Sequence, residues 1–292
     1  MQTRYLDQQR KWDLLADTWI DAGPPASPSA GDIKIYKELL SKSLQYPGEG
    51  KIILLGSTPK IRDIFLSQNG FRENEVFCID FSEKMYLQTS KTLKKNPREQ
   101  FVLGNWLDFN IGSRVYDVVM GDKAIDNIMP EDWQRFFGQV HSHLRTGGSF
   151  IVHLALADER FRGIGFSGAL AKWSAMYADT KQPMGQIVAG LWEEILTASA
   201  FKDGYHNTVT IDRFSDEVER LLDQESSLNL TSREVFSEFI RVFWPSRKEK
   251  WASYQYQEII DLMSSYFMHS ETCFSDDYDA SKVQPIVRMV AK

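Results

Sequence analysis

The sequence is poor in cysteine and has no long apolar run. Cys78 and Cys273 are its two cysteines, too few for a disulfide framework or, by themselves, for a zinc site. They fit a reducing compartment, each as a small buried apolar residue. No stretch approaches the roughly 18 consecutive apolar residues of a membrane span, and the opening residues MQTRYLDQQRKW carry no apolar core of a secretory leader. The expected location is the cytoplasm. Basic charge is also short: 34 Lys and Arg stand against 40 Asp and Glu, a formal net charge of −6. A broad basic face for nucleic acid is therefore not expected. The basic groups that do cluster, Lys91, Lys94, Lys95 and Arg98 or Arg247, Lys248 and Lys250, read as solvated faces. No internal repeat is visible.

What is present is an ordinary globular composition with an excess of rings. Hydrophobic residues make up 42% and aromatics 13% of the 292 residues, which calls for a large core or a ring-lined pocket. Residues Arg4 to Ile20 place Tyr5, Leu6, Trp12, Leu15 and Trp19 at helical spacing. GPPASPSAG (Gly23 to Gly31) must be a loop, because its prolines and glycines forbid regular structure. Asp32 is the expected N-cap of a second helix reaching about Leu44, and YPGEG after it is a turn.

From Lys51 the pattern changes to short apolar runs separated by helical stretches. The runs are Lys51–Leu55, Val76–Ile79, Phe101–Leu103, Val115–Met120 and Phe150–Leu156; the helical stretches are Ile61–Asn69, Glu83–Lys95 and Glu131–Leu144. This alternation predicts a doubly wound, mostly parallel α/β sheet. It stops at Ala157, and residues 157–265 read mainly as helices. Tyr266–Phe274 and Val283–Val290 then read as two strands joined by the acidic turn SDDYDAS. The expected organisation is an N-terminal helical cap (1–50), a ligand-binding core (51–156), a helical insertion (157–265) and a closing strand pair (266–292).

The chemistry-bearing residues gather at the carboxyl ends of these strands, where open α/β sheets bind ligands. The first strand ends at Gly56, and Ser57-Thr58-Pro59 opens a helix with Thr58 as expected N-cap and Pro59 at its first position. The second strand ends in Asp80, at about the 20-residue spacing at which an acid accepts from ribose hydroxyls. Ser82 is a competing N-cap, which would leave Asp80 free as a ligand. Asn105 and Trp106 end the third strand, Gly121 and Asp122 the fourth, and Gly147-Gly148 form an expected cap turn into the fifth.

In this order the residues resemble the class I S-adenosylmethionine-dependent methyltransferases, over Lys51–Leu156 and the closing strand pair. The resemblance implies a seven-stranded Rossmann-like sheet, with S-adenosylmethionine as cofactor, S-adenosylhomocysteine as product and no metal. It implies that Gly56, Ser57 and Thr58 hold the methionine part of the cofactor and that Asp80 holds ribose. Met85, Asn105 and Trp106 would surround adenine and Phe81 would also bind the cofactor, while Gly121 and Asp122 lie beside the methionine and the substrate. The first loop departs from the family pattern in keeping one glycine, and Asn105 replaces a common acid.

The reaction implied is in-line displacement, for which the protein supplies alignment and a dry site. An oxygen or carbon nucleophile also needs a base; the candidates are His153, Asp122 and Asp126. Lys123 either orients an acidic substrate group or is solvated. Trp12 and Trp19, with the rings of 157–265, are the expected lid, which favours a small apolar or aromatic acceptor. The alternatives are an inactive scaffold or binding domain, favoured by the degenerate first loop, and a methyltransferase acting on RNA or protein.

Overall fold

The computed structural model describes residues 2–19, 22–46, 49–66, 70–94, 96–113, 115–157, 159–202 and 204–292, without the side chains of 2–8 and 18. The expected ends of three helices, at Ile20, Asn69 and Lys95, and Pro47 and Gly48 of the YPGEG turn lie outside the described residues. Helices α1 (Gln2–Trp19) and α2 (Ala30–Ser43) come first. β1 (Lys51–Leu55), α3 (Pro59–Ile64), β2 (Glu75–Asp80), α4 (Glu83–Ser90), β3 (Glu99–Leu103), β4 (Tyr116–Asp122), α5 (Trp133–His143) and β5 (Leu144–His153) build the alternating part. α6 (Phe166–Thr180), α7 (Met184–Ser199), β6 (Thr208–Val209), α8 (Ser215–Asp223), α9 (Leu230–Val242), β7 (Trp251–Ala252) and α10 (Tyr256–Met263) follow, and β8 (Phe267–Cys273) and β9 (Ile286–Ala291) close the sheet.

The seven strands lie in the order β3-β2-β1-β4-β5-β9-β8, the first five parallel and β9 antiparallel to both of its neighbours. This is the expected Rossmann-like sheet. Strand alternation assigns the two faces. Ile52 and Leu54 pack with Tyr36, Leu39 and Leu40 of α2. Ile53 and Leu55 face the other way, toward Phe136 and Phe137 of α5 and Ile259 and Met263 of α10. A third apolar cluster unites α6, α7 and α9 with Leu15 and Ala16 of α1.

The register sets the site. Leu55 pairs with both Ile79 and Gly121, so Gly56, Asp80 and Asp122 reach the same carboxyl edge of the sheet. Arg62 of α3 fixes the first crossover: it is buried and donates to Glu99 of β3 at 3.1 and 2.6 Å and to Thr89 of α4 at 3.0 Å.

Three local expectations are corrected. α2 is capped by Ser29, whose hydroxyl accepts from the Asp32 N–H while Asp32 accepts from the Ser29 N–H; Asp32 is thus the third helical residue of a capping box, not the cap. Thr58 makes no side-chain cap bond to α3. Gly147 and Gly148 do not cap α5, which ends at His143; they lie within β5, where Gly147 takes a φ of +77°. The region 157–265 is mainly helical, as expected, and also holds β6 and β7, which pair antiparallel and bring Trp251 opposite Val209.

Candidate active site

The carboxyl ends of β1, β2 and β4 open into a cleft roofed by α1 and α7. Its floor is Leu55, Gly56, Ser57 and Thr58, with Asp80 and Met85 on one side and Asp122, Lys123, Asp126 and Asn127 on the other. Gly56 has a φ of +94°, the left-handed region that glycine enters without strain, and this turn leads the chain out of β1. Trp12, Trp19, Trp192 and Trp251 close the top in a continuous circuit of edge-to-face rings, with centroids 5.0–6.0 Å apart. With α1 docked, the free space in the cleft is about 60 Å³.

Asp80 is buried and turned toward its own loop. The Ser57 N–H and hydroxyl donate to its Oδ2 at 2.8 and 2.5 Å, and the Ser82 N–H donates to its Oδ1 at 2.9 Å. It is therefore engaged, not free, although it lines the cleft. Burial raises its pKa, and the Ser57 and Ser82 hydrogen bonds oppose that rise. Ser82 caps α4 through the Met85 N–H at 2.9 Å and also donates to Asp13 of α1. Asp17 of α1 accepts from Lys84 and Gln88 at 2.9 and 2.6 Å. These polar bonds fasten α1 along α4, and Trp12 Nε1 donates to Asn127 Oδ1 at 3.0 Å on the opposite wall.

Trp106 presents an edge to the cleft while its Nε1 donates to the Ile79 carbonyl at 2.9 Å, and its ring packs on Phe81 with centroids 4.6 Å apart. Phe81 is buried behind it and is absent from the cleft wall. Asn105 is absent too; its Oδ1 accepts from the Leu107 N–H at 2.9 Å and shapes the turn. Gly121 lies beneath the surface of the cleft. A Cβ there would meet the Ala124 Cβ at 2.8 Å, and its carbonyl accepts from the Tyr36 hydroxyl at 2.9 Å.

His153 is 1% exposed and does not reach the cleft. Its Nδ1 lies 2.9 Å from Asp122 Oδ1. Its Nε2 faces the Gln284 carbonyl at 3.2 Å and the Tyr278 hydroxyl at 3.5 Å. His153 thus meets Asp122 from behind the cleft and does not face the space where a substrate would lie, contrary to the expected contact.

Lys123 is not solvated. It is buried, takes a φ of +49°, and donates to Glu193 of α7 across the cleft. Burial works against its charge, but Glu193, Asp126 and Asp122 outweigh that and raise its pKa. Asp126 accepts from the Tyr254 hydroxyl at 2.7 Å; burial lifts its pKa well above the usual carboxylate range, with the Lys123 charge opposing. Glu193 escaped the sequence reading, yet GLWEEIL held a signal: two adjacent carboxylates inside an otherwise apolar helix. Trp251 gave no such signal, because only the β6–β7 pairing carries it to the cleft.

Among the described residues, no group of three or more His, Cys, Asp or Glu could hold a metal ion, and no helix is long and apolar enough to cross a membrane.

Residues 63–148 match the family model for a methyltransferase domain. No curated protein matches the sequence. Among solved structures, a protein provisionally described as a Zn-dependent alcohol dehydrogenase from Rhodobacter sphaeroides superposes with a TM-score of 0.58 at 14% identity, covering 98% of each chain. A protein provisionally described as an S-adenosylmethionine-dependent methyltransferase from Listeria monocytogenes gives 0.52 at 12% identity, over 90% of this chain and 100% of the other. The N-methyltransferase NodS from Bradyrhizobium japonicum WM9, solved with S-adenosylhomocysteine, gives 0.52 at 10% identity, over 99% and 98%. At these identities the superpositions show the fold alone.

Proposed function

We propose that this chain is a class I S-adenosylmethionine-dependent methyltransferase, a reading supported by the methyltransferase-domain match over residues 63–148, and that it methylates a small apolar or aromatic acceptor beneath its helical cap. The observation that carries the reading is the acid-lined, ring-roofed cleft at the carboxyl ends of β1, β2 and β4.

The residues fit S-adenosylmethionine. Four carboxyl groups, Asp80, Asp122, Asp126 and Glu193, face the cleft with one lysine, a balance that favours a ligand bearing sulfonium and ammonium charges. Gly56, Ser57 and Thr58 would hold its methionine part, Asp80 its ribose, and Met85 and Trp106 offer apolar surface to its purine. Bound there, it supplies a methyl group already activated for displacement.

The chain's own task is alignment and exclusion of water. The four-tryptophan roof supplies the dry wall. With α1 docked, the free space of about 60 Å³ is too small for an adenosyl compound, so its admission requires Trp12 and Trp19 to draw back and then close over it. Asp126, which lines the cleft and accepts from the Tyr254 hydroxyl, is the carboxyl placed to take the proton that the acceptor loses. Asp122, held by His153, places a second carboxylate beside it.

The test is calorimetric titration with S-adenosylmethionine and S-adenosylhomocysteine. Wild-type protein binds both, and Asp80→Ala binds ~1–3 kcal/mol more weakly, through loss of charge-assisted bonds in the loop. An inactive scaffold domain is the competing reading, favoured by the engagement of Asp80 with Ser57 and Ser82. Absence of binding by either compound supports it and overturns the enzyme reading.

A further inference from the structure

A second cavity adjoins the cleft and is larger. It holds about 370 Å³ and lies beyond β5, between the start of α7, the end of α6 and the segment that precedes β9. Glu193 lines both cavities, so its carboxylate, paired with Lys123, forms their shared wall. In the strand order β1-β4-β5-β9 the cleft covers the β1 and β4 ends, and this chamber opens on the β5–β9 side, next to the His153–Asp122 pair.

The lining of the chamber has two characters. Phe161, Trp173 and Met176 make an apolar wall. The rest is acidic: Glu193, Glu194, Asp277 and Asp279 face one lysine, Lys172, which is already paired with Glu194 at 2.7 Å. Asp277 accepts from the Ser29 hydroxyl and the Gly31 N–H, both at 2.8 Å; burial pushes its pKa up, and these bonds hold it below its ordinary value. Gln284 also lines the chamber. It is 3% exposed, and its Oε1 is buried with no hydrogen-bond partner. An amide oxygen left unsatisfied in a protein interior is costly unless a donor reaches it.

We propose that this chamber binds the methyl acceptor, and that the acceptor is a small amine: an apolar or aromatic body whose N–H groups meet Gln284 and the acidic wall. The proposal rests on the reading of the cleft as the cofactor site and deepens it. The apolar wall takes the body of the molecule. Glu193 and Glu194 are paired with Lys123 and Lys172, and the two remaining acids, Asp277 and Asp279, favour ammonium over carboxylate. Glu193 marks the shared wall where acceptor and methyl donor would meet; there the ammonium would first lose a proton to a cleft carboxylate, and the neutral nitrogen would then take the methyl group as the donor sulfur leaves in S-adenosylhomocysteine.

The probes are tryptamine and 2-phenylethylamine, each against the acid of the same skeleton, indole-3-acetate and phenylacetate. They are titrated calorimetrically into the full chain with and without saturating S-adenosylhomocysteine. The amines bind, and at least 10-fold more tightly than the acids. Gln284→Leu weakens amine binding about 10-fold, and Asp279→Asn, an exposed lining position, weakens it about threefold. Both variants keep wild-type affinity for S-adenosylhomocysteine, which reports that they are folded. Acids that bind as well as amines, amines that do not bind, or both variants binding amines as wild type overturns the proposal. Failure of the cofactor reading is seen separately, as loss of S-adenosylhomocysteine binding by wild-type protein, and the titration without that compound then judges the chamber by itself.

Discussion

Replacing Lys11 by methionine stabilises this protein, most strongly near neutral pH. Lys11 lies on the inner face of α1; its Nζ is buried with no hydrogen-bond partner and sits 3.5 Å from the centroid of the Trp251 ring. Burial lowers its pKa from 10.5 to about 7, with Glu249 and Asp126 opposing. A shift of that size corresponds to a cost on the order of 5 kcal/mol for the buried cation. Between about pH 7 and 10.5 the unfolded chain holds a proton that the folded chain has released, so stability rises with pH through that window. The full cost is present below it and is gone above it. Attraction to the Trp251 face offsets ~1–2 kcal/mol of that cost only while Lys11 is protonated, below about pH 7. Lys11→Met keeps the stem and removes the charge, so it gains ~2–4 kcal/mol at pH 7.5, and the gain shrinks toward zero at about pH 10.5. Urea unfolding of both proteins from pH 6 to 10 measures the difference, in which the other titrating groups cancel. A less stable Lys11→Met, or a difference that does not change with pH, refutes the reasoning.

Three further outcomes follow from the same geometry. Glu193→Gln leaves the Lys123 cation buried without its partner and costs ~3–5 kcal/mol in urea unfolding, a loss that the double change Lys123→Met with Glu193→Leu largely recovers. Gly121→Ala forces a Cβ to within 2.8 Å of Ala124 and lowers stability by ~1–3 kcal/mol, read as a lower thermal midpoint. Asp126 has a raised folded pKa, so its contribution is present at low pH and is lost as pH rises from 3.8 through the folded value. Asp126→Asn keeps an oxygen for the Tyr254 hydroxyl and removes that loss, so it gains stability relative to wild type at pH 7 over pH 4, as unfolding curves at the two values report.

The sheet was legible because its signals are local. KIILL is a buried run between turn residues, and the observed β1 has those same bounds. The ordered ends of β1, β2 and β4 put Gly56, Asp80 and Asp122 on one edge, as strand polarity requires. The partners these groups choose were not legible. Asp80 turns to Ser57 because the loop folds back over β2, a tertiary event that spacing does not encode. Asn105 reads as a ligand in sequence, yet its amide oxygen closes a local turn, the competition that Asn side chains commonly win. Lys123 is solvated only if α7 is ignored; Glu193, some 70 residues away, draws it inward. The roof was half visible: Trp12 and Trp19 were expected in the lid, whereas Trp251 arrives through a two-residue strand too short for periodicity to reveal.

The central claim is that the cleft at the carboxyl ends of β1, β2 and β4 is the cofactor site. A crystal structure of the chain grown with S-adenosylhomocysteine tests it most directly. The account predicts the ligand against Gly56–Thr58, Asp80 and Met85, with Trp12 and Trp19 moved outward from their present contacts. Crystals at saturating ligand that show an empty cleft, or the ligand bound elsewhere on the chain, contradict it.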